Sequence, residues 1–154
     1  MLGKNPMPKI DIAAIAERIG SGYPAPFNQH ASARVKQALG DAAGLTDFGV
    51  NLTRLPPGAW SSQRHWHSHE DEFVYVLAGE LTLCTDAGEQ LLRAGDAAAF
   101  PKNQANGHHL INRGQETGIY LEIGSRHADD VCTYPDVDLH YVGGYTHKDG
   151  TPYR

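Results

Sequence analysis

The stretch from Arg64 to Glu80 holds the densest group of side chains in this chain that could carry chemistry. It reads RHWHSHEDEFVYVLAGE, with three histidines among its first six residues and three carboxylates directly after them. Histidine and carboxylate side chains packed this closely, beside an alternating apolar run, predict a metal site built on β structure. Five of the nine histidines of the chain lie between positions 65 and 109, which supports the same prediction.

Strand parity selects two of the three histidines. Residues i and i+2 of a strand point to the same face and lie roughly 6.6 Å apart along the chain. His65 and His67 therefore project together, and two imidazoles at this spacing can reach one ion at about 2.0–2.1 Å. Gln63 shares their face, so we expect it to line the same cavity. Glu72 opens the next run, and a hairpin would return its carboxylate to the histidine pair.

A fourth ligand is expected from the segment HHLIN at 108–112. Adjacent residues of a strand face opposite sides, so only one of His108 and His109 can point inwards with regular geometry. His108 shares its face with Leu110 and Asn112, and His109 shares its face with Ile111. Periodicity alone leaves the choice between the two histidines open.

The elements that must position these residues are short strands. Eight runs of strand composition alternate with turn signals and have no helical pattern between them: 50–55, 60–67, 72–77, 80–85, 89–93, 97–100, 108–112 and 117–124. This pattern is typical of an antiparallel jelly roll, so we predict an all-β, double-stranded β-helix barrel over 49–125. In the last run, the alternation of Ile119, Leu121 and Ile123 predicts that these three face the core and that Glu122 faces outwards.

The flanking segments are predicted to be accessory to the barrel. Residues 1–48 form an N-terminal extension, in which 10–20 and 33–39 are expected to be short helices. Residues 126–154 form a C-terminal arm whose tyrosines are expected to anchor it to the barrel. The two cysteines, Cys84 and Cys132, are expected to be reduced, packed thiols, because two such residues do not make a disulfide framework.

Bulk properties narrow the possible functions. At 154 residues, one domain with a buried core is expected. The formal net charge of −5, with scattered Lys and Arg, argues against a nucleic-acid partner. No apolar segment approaches the roughly 20 residues that a membrane span needs. The first twenty residues lack the apolar core of a secretory signal, so we expect a cytoplasmic protein without a membrane role.

The spacing around the histidine pair resembles the first motif of the cupin superfamily. That motif runs G, five residues, HxH, three or four residues, E, six residues, G. Here Gly58 is followed after six residues by His65 and His67, after four more by Glu72, and after six more by Gly79. A register that used His69 would leave only two residues before the glutamate, which is too few for the motif. His69, Glu70 and Asp71 are therefore predicted to be turn residues.

The later segment resembles the second cupin motif, which runs G, five residues, PxG, two residues, H, three residues, N. Gly95 is followed after five residues by Pro101, Asn103 stands in place of the glycine, and four residues precede His108. Asn112 then follows after three residues. We take Asn112 either as a strand-end residue or, together with Gln63, as a group that lines the pocket.

The resemblance to the cupins implies one divalent metal ion per chain, held by His65, His67, Glu72 and His108 inside the barrel. It also implies a homodimer. Three imidazoles and one carboxylate suit Fe, Mn, Ni, Co or Zn, and affinity alone does not choose among them. Four protein ligands leave two positions of an octahedral ion open for a small-molecule ligand and for water or dioxygen.

Two classes of function follow from such a site. The first is a metal-dependent small-molecule enzyme. It would be dioxygenase-like with a redox-active iron, or an isomerase, lyase or hydrolase if the ion acts as a Lewis acid. The alternative is a non-catalytic module that binds a metal or a small ligand, for instance as a regulator.

Overall fold

The computed structural model describes residues 8–154, which form thirteen short strands, one short α-helix and one 3-10 turn. In chain order, the elements are the 3-10 turn Ile12–Ala14, β1 Arg18–Ile19, β2 Val35–Ala38, α1 Leu39–Ala42, β3 Phe48–Leu55, β4 Trp66–His67, β5 Glu72–Ala78, β6 Glu80–Thr85, β7 Gly88–Arg93, β8 Ala97–Phe100, β9 His109–Ile111, β10 Gly118–Ser125, β11 Cys132–Thr133, β12 His140–Tyr141 and β13 Tyr145–Thr146. Within this part of the chain, no helix is long and apolar enough to cross a membrane.

The strands form three antiparallel sheets. The largest has six strands in the order β1-β2-β3-β10-β5-β8, the second has the order β13-β12-β11-β4, and the third has the order β7-β6-β9. The predicted all-β, antiparallel jelly roll is therefore confirmed. One strand of the predicted N-terminal extension, β2, belongs to the largest sheet, and the division of the chain at residues 49 and 126 stays a prediction.

Most of the predicted strands lie where the sequence indicates, but the run 60–67 is largely irregular. Only Trp66–His67 is a strand, and the preceding residues touch β9 and its flank through isolated bridges, Trp60 to Ile111 and His65 to His108. Between those bridges, the Ser61 hydroxyl accepts a hydrogen bond of 2.8 Å from the Leu110 amide. A side chain thus replaces part of the backbone ladder, which the composition of the run did not reveal.

Both predicted N-terminal helices are wrong. The isoleucine spacing in 10–20 is helical, but Ile12 and Ile19 are exposed and only a 3-10 turn forms. A short helix whose apolar face is not buried is not stable in water. In 33–39, Val35–Ala38 is strand β2, and the α-helix begins only at Leu39. Four residue pairs join β2 to β3, and this tertiary pairing overrides the local helix propensity.

The inner face of the largest sheet is identified by the register of β5 and β10. Val74 and Val76 are buried, whereas the alternate residues of β5 are 38–45% exposed. Glu122 pairs with Val74, and Tyr120 pairs with Val76, so both β10 side chains point inwards. The prediction that Glu122 faces outwards is therefore wrong. Alternation alone did not indicate which face of β10 is the inner one, because both faces carry large side chains.

Two apolar clusters hold the molecule together. The larger one fills the barrel and consists of Leu55, Ala59, Val74, Val76, Leu81, Leu83, Leu92, Leu110 and Tyr120. The smaller one joins the C-terminal arm to the N-terminal segment, since Tyr134 and Leu139 pack against Tyr23 and Phe27. The aromatic side chains of the arm thus dock it on the N-terminal segment.

The turn between β5 and β6 depends on Gly79, whose φ of +75° lies in the left-handed region. A Cβ at this position would lie 2.9 Å from the Thr117 carbonyl oxygen. We predict that Gly79→Ala lowers the free energy of unfolding by at least about 1–2 kcal/mol, because a left-handed alanine is strained by that amount before any clash. Denaturant titration measures the change.

Gly144→Ala is the matched control for this substitution. Gly144 has no positive φ and has open space around its Cα, so alanine there should change the free energy of unfolding by less than about 0.5 kcal/mol. Equal stability losses in the two variants would contradict the account of the turn.

Candidate metal centre

Backbone bridges from two sides position the histidine pair. His67 lies in the short strand β4 and pairs with Cys132 of β11. His65 precedes β4 and exchanges two backbone hydrogen bonds with His108, at 3.2 and 2.9 Å. The ring centroid of His65 lies 5.0 Å from that of His67 and 4.9 Å from that of His108. The imidazoles of His65, His67 and His108 are thereby brought together, although His108 lies far from the other two in the sequence.

The three imidazoles converge on the carboxylate of Glu72, the first residue of β5. His67 Nε2 lies 2.7 Å and His65 Nε2 3.7 Å from Glu72 Oε1, and His108 Nε2 contacts Oε2. Donor atoms that share one ion at about 2.0–2.1 Å lie roughly 3 Å from one another. The spacing of these nitrogen and oxygen atoms therefore fits a single ion. His65, His67 and Glu72 indeed form a group of donors that could hold a metal.

The protonation states also fit a cation. Burial alone would raise the pKa of the Glu72 carboxyl, but hydrogen bonds with His108, His65 and His67 hold that pKa well below its usual range. Burial lowers the pKa of His108 despite its contact with Glu72. An ionised carboxylate and a neutral imidazole are the forms that bind metals.

His67 carries a second set of contacts behind the ring. Its Nδ1 lies 2.6 Å from Asp130 Oδ2, and Cys132 Sγ lies 3.3 Å from the same nitrogen. A hydrogen bond from Nδ1 to a carboxylate fixes the tautomer that presents Nε2 to an ion. Burial alone would lower the pKa of His67, but Cys132 and Glu72 raise it, so an arriving ion would displace a proton from this ring.

His67, Asp130 and Cys132 also lie close enough to form a donor group of their own. Neither C-terminal residue could be predicted as a partner of His67, because both lie more than 60 positions beyond it and belong to no recognisable spacing. Burial raises the pKa of the Cys132 thiol, so it remains protonated at neutral pH. Both cysteines of the chain are free thiols, as expected.

The structure separates His108 from its neighbour His109. Both side chains reach the cavity wall, but His109 Nδ1 lies 2.9 Å from the Ser62 carbonyl oxygen and its ring packs edge-on against Trp60. His108 instead stacks flat on Phe100 and directs Nε2 to Glu72. Its Nδ1 is buried and has no hydrogen-bond partner among the described residues.

Other residues singled out in the sequence lie outside this cluster. His69 is exposed, and its Nδ1 contacts the Ser68 hydroxyl at 2.7 Å. The Gln63 amide donates to the Phe27 carbonyl at 3.0 Å. The Asn112 amide donates to the carbonyls of Leu55 and Glu116 at 2.7 Å each. Gln63 and Asn112 are therefore committed to backbone partners and do not line the cavity beside the histidines.

A cavity of about 260 Å³ lies beside the candidate ligands. This volume is large enough for several water molecules or a small ligand. Its wall combines the three imidazoles and Glu72 with Arg34, which precedes β2, and with inner side chains of the largest sheet, including Lys36, Tyr120 and Glu122. The space suits a small polar molecule that reaches the histidine cluster.

The cavity also has a polar wall that includes Lys36 and Glu122, which was not predicted from the sequence. Lys36 Nζ lies 3.2 Å from Glu122 Oε1, and the Asn51 amide donates to the same oxygen at 3.3 Å. Burial alone would raise the pKa of Glu122, but Lys36 holds it below its usual value. Glu122 is therefore an ionised carboxylate inside the cavity. This ion pair was not predicted, because residues 33–39 were expected to be a helix and Glu122 was expected to face outwards.

Comparison with known proteins gives a consistent family assignment. The model of the Cupin domain family matches residues 51–124. A solved structure of a sugar phosphate isomerase from a cupin superfamily, from Silicibacter pomeroyi DSS-3, is 43% identical, with a TM-score of 0.90 over 96% of this chain and 97% of that one. A second structure, from Acidithiobacillus ferrooxidans ATCC 23270, bears the same isomerase name provisionally. It is 36% identical, with a TM-score of 0.70 over 79% and 80% of the two chains.

Curated relatives match over a shorter range. A probable oxalate decarboxylase of Arthroderma benhamiae is 36% identical over 78 residues, which are 47% of this chain and 19% of that protein. Protein SchB of Streptomyces halstedii is 31% identical over 83 residues. The chain thus spans about a fifth of the first relative and 58% of the second. Together with the solved structure that it matches along nearly its whole length, these findings show that the chain belongs to the cupin superfamily.

Proposed function

We propose that His65, His67, Glu72 and His108 hold one divalent metal ion. The observation that carries this proposal is the convergence of three Nε2 atoms on the two oxygens of one half-buried carboxylate. His108 rather than His109 completes the set, because only His108 directs a ring nitrogen to Glu72. The donor set suits Fe, Mn, Ni, Co or Zn.

We further propose that the protein is a metal-dependent isomerase of a small sugar-like substrate. When bound, the ion would supply Lewis-acid polarisation of a substrate carbonyl. The relative of 43% identity is named a sugar phosphate isomerase, which supports the isomerase branch over the dioxygenase-like branch.

Glu122 is the proposed general base. Lys36 and Asn51 both contact its Oε1, whereas Oε2 has no hydrogen bond among the described residues and belongs to a side chain on the cavity wall. Glu122 lies diagonally across from Glu72, since Glu72 pairs with Gly124 on β10. Such neighbours are roughly 7–8 Å apart, so a substrate held beside Glu72 lies within reach of Glu122.

The proton transfer balances without any oxidant or reductant. Glu122 Oε2 would accept the proton from the carbon next to the carbonyl and return it to the former carbonyl carbon. A second proton would move between the two substrate oxygens, so that carbonyl and hydroxyl exchange places. Lys36 keeps Glu122 ionised, which is the form that can accept a proton.

The metal assignment predicts different results for two nearby histidines. His67→Ala should lower the metal content from close to one ion per chain to a small fraction, because it removes a ligand. His69→Ala should leave the metal content unchanged, since His69 is exposed and points away. Elemental analysis of the purified variants measures both, and equal losses would refute the proposed ligand set.

The reaction is tested with a panel of aldose and ketose phosphates in D₂O. We expect the metal-loaded protein to interconvert one pair and to incorporate deuterium beside the carbonyl, which NMR detects. Glu122→Gln should slow the exchange by about 100-fold or more, the usual contribution of a general base, while metal content is retained.

Glu80→Gln is the matched control for this experiment. Glu80 also pairs with a cation of a neighbouring strand, Arg93, but the pair lies on the surface, so its loss should not change the rate. Binding of the sugar phosphates without any turnover would contradict the isomerase and favour the alternative of a non-catalytic binding module. Equal rates in Glu122→Gln and the wild type would remove Glu122 as the base.

The homodimer implied by the family resemblance stays a prediction. We propose that a second copy covers the outer face of β5, where Phe73, Tyr75 and Leu77 are 38%, 39% and 45% exposed. Exposed apolar side chains grouped in this way are typical of protein interfaces. Light scattering in solution should give twice the mass of the chain for the wild type and one mass for Tyr75→Glu. A monomeric wild type would contradict the dimer.

A further inference from the structure

The polar residues on the inner face of the largest sheet form ordered rows. Glu72 and Gly124 are paired in the row next to the histidines. The next row contains Val74, Glu122 and Asn51, and the one beyond it contains Val76, Tyr120, Thr53 and Lys36. Arg34 lies two residues before Lys36 and also lines the cavity. A ligand that extends along the cavity from Glu72 therefore passes Glu122 before it reaches the two cations.

Arg34 has unused capacity to bind an anion. Its guanidinium donates to the carbonyl oxygens of Ser61 and Gly20, at 2.5 and 2.9 Å, and to no carboxylate among the described residues. A guanidinium has five N–H donors, so three of its donors remain free, and its charge is shared with no directly bonded carboxylate among the described residues. Lys36, by contrast, forms an ion pair with Glu122.

Unsatisfied polar atoms cluster at this end of the cavity. Arg34 Nε, Thr53 Oγ1 and Tyr120 Oη are buried without a hydrogen-bond partner among the described residues. Burial raises the pKa of Tyr120, so its hydroxyl stays a donor. Buried polar groups are nearly always paired with protein, water or ligand. Arg34 and Tyr120 also line the cavity, so the guanidinium Nε and the hydroxyl together indicate a place that a polar ligand, with or without bridging water, completes.

The charge of the cavity favours an anionic ligand. Its wall carries two cations, Arg34 and Lys36, and two carboxylates, Glu72 and Glu122. A divalent ion beside Glu72 would leave a surplus of two positive charges, or of one if Asp130 behind His67 is counted. A phosphate monoester carries about 1.5–2 negative charges at pH 7, so it would neutralise the loaded cavity.

We propose that Arg34 and Lys36 form a subsite for the phosphate group of a small phosphorylated ligand whose carbonyl end lies beside Glu72. This inference rests on the proposed function for the position of the carbonyl end. The order of the rows then places Glu122 between the two ends of the ligand. The N-terminal strand β2 would thus determine specificity for phosphorylated over unphosphorylated substrates.

Isothermal titration with inorganic phosphate at low ionic strength tests the subsite without any turnover. We expect the metal-loaded wild type to bind phosphate and Arg34→Gln to bind it at least about tenfold more weakly, as the loss of charge-assisted hydrogen bonds implies. Arg34→Lys should bind with intermediate affinity, because it keeps the charge but loses the planar fork. Lys36→Met should also weaken binding, and it serves as a second test if Arg34→Gln does not fold.

Arg54→Gln is the matched control. Arg54 belongs to the same sheet but pairs with Val35 and donates to Gln37 on the outer side, so phosphate affinity should be unchanged. Oxalate in place of phosphate distinguishes a carboxylate subsite: tighter binding of oxalate with the same Arg34 dependence would overturn the phosphate assignment.

Three outcomes distinguish this inference from the proposed reaction. Phosphate affinity that disappears in metal-free protein but is unaffected by Arg34→Gln would mean that phosphate binds only to the ion, and it would overturn the subsite. Phosphate affinity that depends on Arg34 in a protein without isomerase activity would support the subsite while the reaction fails. An active isomerase whose KM for the sugar phosphate is unchanged in Arg34→Gln would support the reaction and overturn the subsite.

Discussion

The contact of three imidazoles with the half-buried Glu72 carboxylate is the interaction on which the rest of the site depends. A charge taken out of water costs several kcal/mol unless it is paired and hydrogen-bonded. Contacts with His65, His67 and His108 offset this cost for Glu72. These contacts require an irregular segment before β4, a bridge from His65 to His108, and a turn that returns the chain to β5.

The flanking segments complete the site from opposite sides. The C-terminal arm supplies Asp130, which holds the Nδ1 atom of His67. The N-terminal strand β2 supplies Lys36, which pairs with Glu122. Aromatic packing between the two segments, through Tyr23 and Tyr134, joins them over the same cavity. Segments that resemble accessory extensions in the sequence therefore provide the groups around the ligands, while the barrel provides the candidate ligands themselves.

Local physical rules explain which features the sequence could predict. The period-2 geometry of strands grouped His65 with His67, and the spacing of the cupin motifs added Glu72 and His108. The parity of β10 could not be predicted, because its outer face is apolar and its inner face carries Tyr120 and Glu122. Strand β2 could not be predicted either, because pairing with β3 rather than local propensity decides its conformation. Contacts over long sequence distances, such as His67 with Asp130, leave no spacing signal.

The most direct test of the central claim is a crystal structure of the metal-loaded protein with anomalous scattering data at the absorption edge of the ion. The account predicts one peak bonded to the Nε2 atoms of His65, His67 and His108 and to Glu72, at about 2.0–2.2 Å. An ion held instead by His67, Asp130 and Cys132 would contradict the account. So would a fully folded protein that takes up no ion between Glu72 and the three imidazoles.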